Sequence, residues 1–454
     1  MIAAQMGLGV FMVPKHRRDR LNRWLYMMLP YEIAYAPVSN LVILYILSLG
    51  GTVIDASYAV AFSNLLMIAA SVFWGKLVEF HNRRKVFIVI SLLGLSVSLV
   101  GLSLVRSVFW VIMIYGTMTF LVIANTTPFN MLVMETNSRD KWAQGFSKLQ
   151  MLSSVGVVLS YVITASISGF LSIGSMMLVL FPFAVVALIF TKYIQEPSAV
   201  FPKLALFRSV NAFRSRLISN PLLFLFNRRT RTRTGKLSPS RYQVRGPWLH
   251  TGDYTAVLYA STLVFYVGST IFNTSYPAGL KSYGLSNFDV LSVILIGSVV
   301  QTITFYKSGI LTSRRVKSEL ATSSLFIRGL GYMAIGVTFL TISNLALLGA
   351  NIVLYAIVAG LAYALFYTAF NTMVFEAVGN ERRGSKLGIY SGFVGLGSLI
   401  GAPIAGYASY FIGYWFAFIL SGALIVVTSV IIILGIRHAD DVARGHPSLP
   451  STAR

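Results

Sequence analysis

Long apolar stretches alternate with short polar ones along the whole chain, and the charged residues gather at the joints between them. Twelve stretches reach about 20 residues, near 25–49, 56–77, 86–105, 108–134, 146–168, 172–193, 254–277, 287–308, 319–341, 346–376, 386–411 and 414–436. Each is long enough to cross the ~30 Å core of a bilayer as a helix. The pattern predicts an all-α polytopic membrane protein. A single polar interruption is long, and it separates six spans from six. The expected organisation is a six-helix bundle over 1–193, a basic linker over 194–253, a second six-helix bundle over 254–436 and a polar tail over 437–454. The basic run PKHRRDRLNR leads into a full-length span without a small-residue cleavage site, so the first span is expected to stay in the mature protein.

A repeated word supports two related halves. Residues 129–135 read FNMLVME and residues 370–376 read FNTMVFE, sharing Phe, Asn, Val and Glu at a separation of 370 − 129 = 241. Each copy ends the fourth span of its half. Each is followed by an Arg and then, six residues later, a Gly: Arg139 and Gly145, Arg382 and Gly388. Shared word, position and spacing point to duplication, a known way of building an alternating-access carrier.

Composition and charge narrow the class. Hydrophobic residues make up 56% of the chain and charged residues 11%, against about 25% charged in a soluble domain. The 37 Lys+Arg against 14 Asp+Glu give +23, and their placement explains the sum. One set of alternate joints holds Lys15, Arg17, Arg18, Arg20 and Arg23, then GKLVEFHNRRK, RDKWAQGFSK, the linker, SRRVK, ERRGSK and the tail; the other holds Arg106 and Lys281. Both termini are therefore expected in the cytoplasm of a cell-membrane protein, and the charge reports orientation, with no nucleic-acid partner. Cysteine is absent, and His16, His81, His250, His438 and His446 all fall in joints or tails, so neither a metal site nor a cofactor nor an enzymatic activity is expected.

The joint after the second span, GKLVEFHNRRK, resembles the loop signature of the major facilitator superfamily: Gly, three residues, an acid, a basic residue, any residue, Gly, then two basic residues. Gly75, Glu79, Arg83 and Arg84 fall on that pattern, while Phe80 and Asn82 depart from it. The resemblance implies the twelve-helix, two-half fold of that family, function as a monomer, and a conformational latch at Gly75, Glu79, Arg83 and Arg84 that stabilises the outward-facing state. Physically, Gly75 would let helices approach closely, and Glu79 could accept from cations or face a helix N-terminus. The matching joint of the second half, GILTSRRVKSE, keeps Gly309, Arg314, Arg315 and Lys317 but carries Ser313 in place of the acid. Drug/proton-antiporter and sugar-porter signatures are missing. Span 11, GLGSLIGAPIAGY, has glycines spaced for close helix packing.

In that family spans 1, 4, 7 and 10 line a central cavity, so their polar faces hold the site candidates. In span 7, Tyr259, Thr262, Tyr266, Ser269 and Asn273 recur at 3, 4, 3, 4 and share one helical face, which is either a cavity wall or a hydrogen-bonded seam. Span 10 offers Tyr363, Tyr367 and Asn371. Span 4 offers Tyr115, Thr119, Asn125 and Asn130. Asn130 and Asn371 belong to the repeated word, and two readings of it stand: the asparagines meet across the pseudo-twofold axis, or Glu135 and Glu376 each bind the loop arginines of their own half at the membrane edge.

In span 1, Glu32 and Tyr35 lie between Pro30 and Pro37, and Glu32 is nine residues, roughly 13 Å, past Arg23. A carboxylate that deep is costly unless protonated, paired or hydrated, which makes it a proton-coupling or substrate-binding candidate; the competing reading is an interfacial Glu on a late-starting helix. Arg328 in span 9 has two readings, an arginine near the inner end that snorkels to the headgroups, which is the expected one, and a functional group. The linker holds eleven Lys+Arg against two acids, and Leu206, Val210, Phe213 and Leu217 share one face; a surface helix on anionic lipid and a plain solvated tether both fit.

The function expected from these features is secondary active transport of a small solute by alternating access, with Glu32 as the coupling group. An uncoupled carrier of a polar metabolite and a non-transporting sensor on a carrier fold are the alternatives. Hydroxyl, amide and aromatic candidates with one acid suit a neutral or cationic solute. The orientation has a direct test, because single cysteines introduced into this Cys-free chain can be probed with a membrane-impermeant thiol reagent. Residues 228–236 should label only after the membrane is opened, and labelling in intact cells reverses the topology.

Overall fold

The computed structural model of the chain describes residues 23–80, 83–136, 142–194, 254–314, 316–341, 344–378 and 383–445. Among these every regular element is helical, as a bilayer demands of a chain that must satisfy its own backbone polar groups. Twelve helices are long and apolar enough to span: α1 (Trp24–Ser48), α2 (Val53–Val78), α3 (Arg84–Leu104), α4 (Val108–Val133), α5 (Lys148–Ile167), α6 (Ile173–Tyr193), α7 (Thr255–Ser282), α8 (Asn287–Gly309), α9 (Lys317–Thr341), α10 (Ala346–Val374), α11 (Tyr390–Phe411) and α12 (Tyr414–Gly435). The expected spans lie within a few residues of these. The largest miss is the end of α7, expected at 277, which runs through Pro277 to Ser282. The ring removes one backbone donor there, a loss that a packed membrane helix tolerates. The linker, including the face of Leu206 to Leu217, lies outside the described residues.

The helix contacts repeat. In the first half α1 packs on α5 and α6, α3 on α4 and α6, and α2 on α4; in the second α7 packs on α11 and α12, α9 on α10 and α12, and α8 on α10. Adding six to each number turns one set into the other. The halves meet chiefly as α2 on α11 and α5 on α8, two contacts that the same rule exchanges. This is the pseudo-symmetric pair of six-helix halves that the repeated word predicts.

A second repeat, which the reading of the sequence missed, builds the first turn of each half. Gly50 (φ 84°) and Gly284 (φ 83°) take the left-handed conformation that suits glycine. Two residues later Thr52 and Ser286 exchange hydrogen bonds with Asp55 and Asp289: the backbone N–H donates to the carboxylate at 2.7 and 2.9 Å, and each Asp N–H returns to the hydroxyl at 3.4 and 3.2 Å. This is a reciprocal cap on α2 and on α8. Every pair is 234 residues apart (284 − 50, 286 − 52, 289 − 55), the offset that also relates Gly75 to Gly309.

Close packing falls on glycines, but not on Gly75. A Cβ added at Gly75 would meet nothing within 4 Å among the described residues, which show no close approach there. On α11, by contrast, a Cβ at Gly397 would lie 2.7 Å from the Leu263 carbonyl oxygen and one at Gly401 2.5 Å from that of Val267, both on α7, while Gly406 packs against Ser57 on α2. Beside it the Tyr58 and Tyr407 hydroxyls share a hydrogen bond of 2.6 Å across the two halves. Gly401→Val should push α11 off α7 and cost about 1–3 kcal/mol. Gly75→Ala should be neutral or slightly stabilising, and thermal unfolding in detergent separates the two.

Candidate functional site

A cavity of about 380 Å³ lies between the halves, within the usual range for small-molecule sites. The first half contributes Ser39 and Asn40 of α1 with Val157 and Tyr161 of α5. The second contributes Phe265, Tyr266, Ser269, Thr270, Asn273, Tyr276 and Pro277 of α7, Ile294, Ser298 and Gln301 of α8, Arg328 of α9, Tyr355, Ala359 and Tyr363 of α10, and Ser398 of α11. Asn40 donates to the Tyr161 hydroxyl at 2.7 Å, joining α1 to α5. Tyr276 donates to Asn351 at 3.1 Å, joining α7 to α10. Tyr355, Ala359 and Tyr363 sit in and around a π-helical segment, Ala356–Ala362, a widening common at functional sites.

Among the described residues Arg328 is the one charged side chain of this lining. It stands 328 − 317 = 11 residues into α9, about 16 Å along the axis, and is only 3% exposed. The snorkelling expected for it is overturned: from mid-helix the side chain turns inward. Its Nε and Nη2 donate to the Tyr332 hydroxyl at 3.0 and 2.6 Å. The guanidinium carbon lies 4.6, 5.2 and 5.4 Å from the ring centres of Tyr363, Tyr332 and Phe265, a cation–π cage. Nη1 has no hydrogen-bond partner among the described residues, and no Asp or Glu lines the cavity.

The other candidates divide. On α7, Tyr266, Ser269 and Asn273 line the cavity, whereas Thr262 bonds back to the Leu258 carbonyl at 2.8 Å and Tyr259 stacks on Phe393 of α11 at 5.7 Å. The stripe is cavity wall along one stretch and helix seam along the other. On α10 Tyr363 lines the cavity. Tyr367 does not, and Asn371 bonds to the Tyr367 carbonyl at 2.8 Å and accepts from Tyr390 of α11 at 3.2 Å. Asn125 ends a 3₁₀ break, Ile123–Asn125, and donates to Ser91 of α3 at 2.9 Å, while Asn130 is exposed. Neither lines the cavity.

Helical structure is formed from Arg23 onward, so Glu32 does not belong to a late-starting helix. It is half-buried and accepts from Ser153 of α5 at 2.6 Å. A Cβ at Gly156 of α5 would lie 2.8 Å from that of Glu32. Neither Glu32 nor Tyr35, whose ring stacks on Tyr31 at 5.6 Å, is part of the lining.

Of the two readings of the repeated word, the ionic one is met only in kind: Glu376 pairs within its own half, but with Lys317, the first residue of α9, rather than with a loop arginine. Asn371 is engaged within its own half rather than with Asn130. In the first half the side chains of Glu135 and Glu79 lie outside the described residues, while Arg83 is exposed and Arg84 buried at the start of α3.

Sequence reasoning missed Tyr276, Gln301, Tyr355, Asn40 and Tyr161, and it misplaced Arg328. A lone arginine eleven residues into a span was the readable signal.

With this geometry in view, the comparisons with known proteins decide the family. The model of the Major Facilitator Superfamily matches residues 27–348 and, separately, 258–451. The chain belongs to the major facilitator superfamily. It is a non-enzymatic transporter protein of the membrane. Three solved structures share the fold: a POT family transporter in complex with 5-aminolevulinic acid (TM-score 0.69, 11% identity, covering 92% of this chain and 96% of that one), a D-xylose-proton symporter (0.67, 13%, 91% and 96%) and the nucleoside transporter NupG (0.64, 11%, 92% and 99%). No curated protein matches the sequence.

Within this superfamily member the Arg328–Tyr332 pair is testable by itself. Tyr332→Phe keeps the ring under the guanidinium but removes the acceptor of two charged donors, and should cost about 1.5–3 kcal/mol in thermal unfolding. An unchanged unfolding temperature would mean that water or another residue serves Arg328 equally well.

Proposed function

We propose that this superfamily member is a secondary active carrier that moves a small solute across the cell membrane by rocking its two halves about the central cavity. The observation that carries the reading is the cavity itself, walled by α1 and α5 of one half and by α7, α8, α9, α10 and α11 of the other. A solute held there touches both halves, so their relative rotation alters its access to either side. The α2–α11 and α5–α8 contacts are the surfaces that such a motion would slide or hinge. The protein is taken to act as a monomer with both termini cytoplasmic, the basic loops lying on the inner face.

Glu32 is proposed as the proton-coupling group. It is an acid on a cavity-lining helix, bridging to α5 through Ser153, and α5 is one of the helices at the contact between halves. A change in its protonation would alter the α1–α5 seam and so bias one arrangement of the halves. Its absence from the lining favours a second reading, an uncoupled carrier.

Reconstitution into liposomes tests the proposal at two levels. Uptake of at least one labelled metabolite from a broad panel, above protein-free liposomes, is expected, and none would favour a sensor. For a transported solute, Glu32→Gln should abolish accumulation driven by a pH gradient while counterflow exchange survives, because exchange need not pass through the deprotonated empty carrier. Wild-type accumulation by the Gln variant assigns coupling elsewhere or removes it.

A further inference from the structure

We infer that the cavity takes a solute bearing a single carboxylate, with Arg328 as its anion-binding group and the Ser269 hydroxyl as a second donor. The inference rests on the carrier reading and narrows its substrate class, away from the neutral or cationic solute that the sequence suggested. That expectation assumed an acid in the cavity. The structure leaves Glu32 outside the lining and puts a cation inside it.

Two buried donors of the lining have no hydrogen-bond partner among the described residues, the Nη1 of Arg328 and the hydroxyl of Ser269. Leaving such groups unsatisfied costs free energy, so a ligand that supplies acceptors regains it. The two belong together. The ring of Phe265 lies beneath the guanidinium, and Ser269 follows Phe265 by one turn on the same face of α7. The cage of Phe265, Tyr332 and Tyr363 attracts the cation without neutralising it, so the net charge of the lining is that of Arg328. A guanidinium presents paired N–H groups in a plane that matches a carboxylate. With one cation and no second basic side chain, the lining balances one negative charge, which disfavours a doubly charged phosphate monoester. The remaining walls, including Tyr276 and Tyr355, accept a flat or hydroxylated body.

The test is ligand-induced thermal stabilisation of the full chain in detergent. The probes are monocarboxylates from acetate to hippurate, each matched with its amide, its amine and a phosphate monoester of similar size. At least one matched set should stabilise the protein only as the carboxylate. Arg328→Gln should weaken that binding about tenfold or more, Arg328→Lys less, and Ser269→Ala roughly three- to tenfold. The serine variant removes no existing hydrogen bond, so it keeps the test decisive if Arg328→Gln fails to fold.

Equal stabilisation by amides or amines, preference for the phosphate members, no response to any carboxylate, or undiminished binding in the variants overturns the assignment. The carrier reading fails separately: carboxylate binding with no carboxylate flux in proteoliposomes leaves the anion site standing and removes transport. Flux of amide or amine members alone does the reverse.

Discussion

The crossing of α9 and α12 fixes what the second half can do. In a bilayer there is no hydrophobic drive between helices, so association depends on close backbone approach. At Gly329 an added Cβ would lie 2.8 Å from the carbonyl oxygen of Gly422, and at Gly422 one would lie 2.5 Å from that of Gly329. Each glycine is the room the other occupies. With Gly329 committed to α12, the neighbouring Arg328 is turned about 100° around α9, toward α7 and α10 rather than toward lipid. The rings of Phe265 and Tyr363 meet it there. A residue that composition would assign to a membrane surface thus becomes the charge of the cavity because its neighbour is a glycine.

That charge lacks the usual remedy. A buried cation in protein is normally paired with an acid, and among the described residues none lines the cavity; Glu32 of α1 is held instead by Ser153 in the other half. Cation–π contacts and the Tyr332 hydroxyl offset part of the desolvation cost and leave Nη1 without a partner among the described residues. On the proposed carrier reading, a lining with a guanidinium and no acid among the described residues favours a solute that brings an acceptor, and a negative charge most of all, to the guanidinium.

Architecture was readable because it rests on period and length. Twelve apolar runs, one long interruption and a repeated word are one-dimensional signals, and the bilayer leaves few folds that satisfy them. Side-chain direction within a helix is not such a signal. The α7 stripe illustrates the limit: its spacing places Tyr259 through Asn273 on one face, yet α11 covers the Tyr259 end with Phe393 while the cavity opens at Ser269 and Asn273. A helix that passes from a seam into a cavity keeps one polar face and changes what that face meets. Asn125 and Asn371 looked like cavity residues by the same logic, but a 3₁₀ break and a tyrosine on a neighbouring helix engage them in packing. Neither the break nor the neighbour is written in the local spacing.

Duplication preserved the scaffold and left the chemistry free to diverge. Gly50 and Gly284 turn with nearly the same φ, and the caps at Thr52–Asp55 and Ser286–Asp289 form the same bonds, because each first hairpin needs a tight turn and a satisfied helix start regardless of cargo. The third helices carry no such constraint at mid-membrane. After its first two residues α3 has no Lys or Arg, whereas α9, its counterpart by position, carries Arg328. Two halves with the same helix contacts therefore enclose a cavity that is electrically one-sided. A solute with one charged end would enter it in a fixed orientation, its charge held by the second half and its remainder presented to Asn40 and Tyr161 of the first, so that an exchange of access between the two membrane faces need not exchange the ends of the solute.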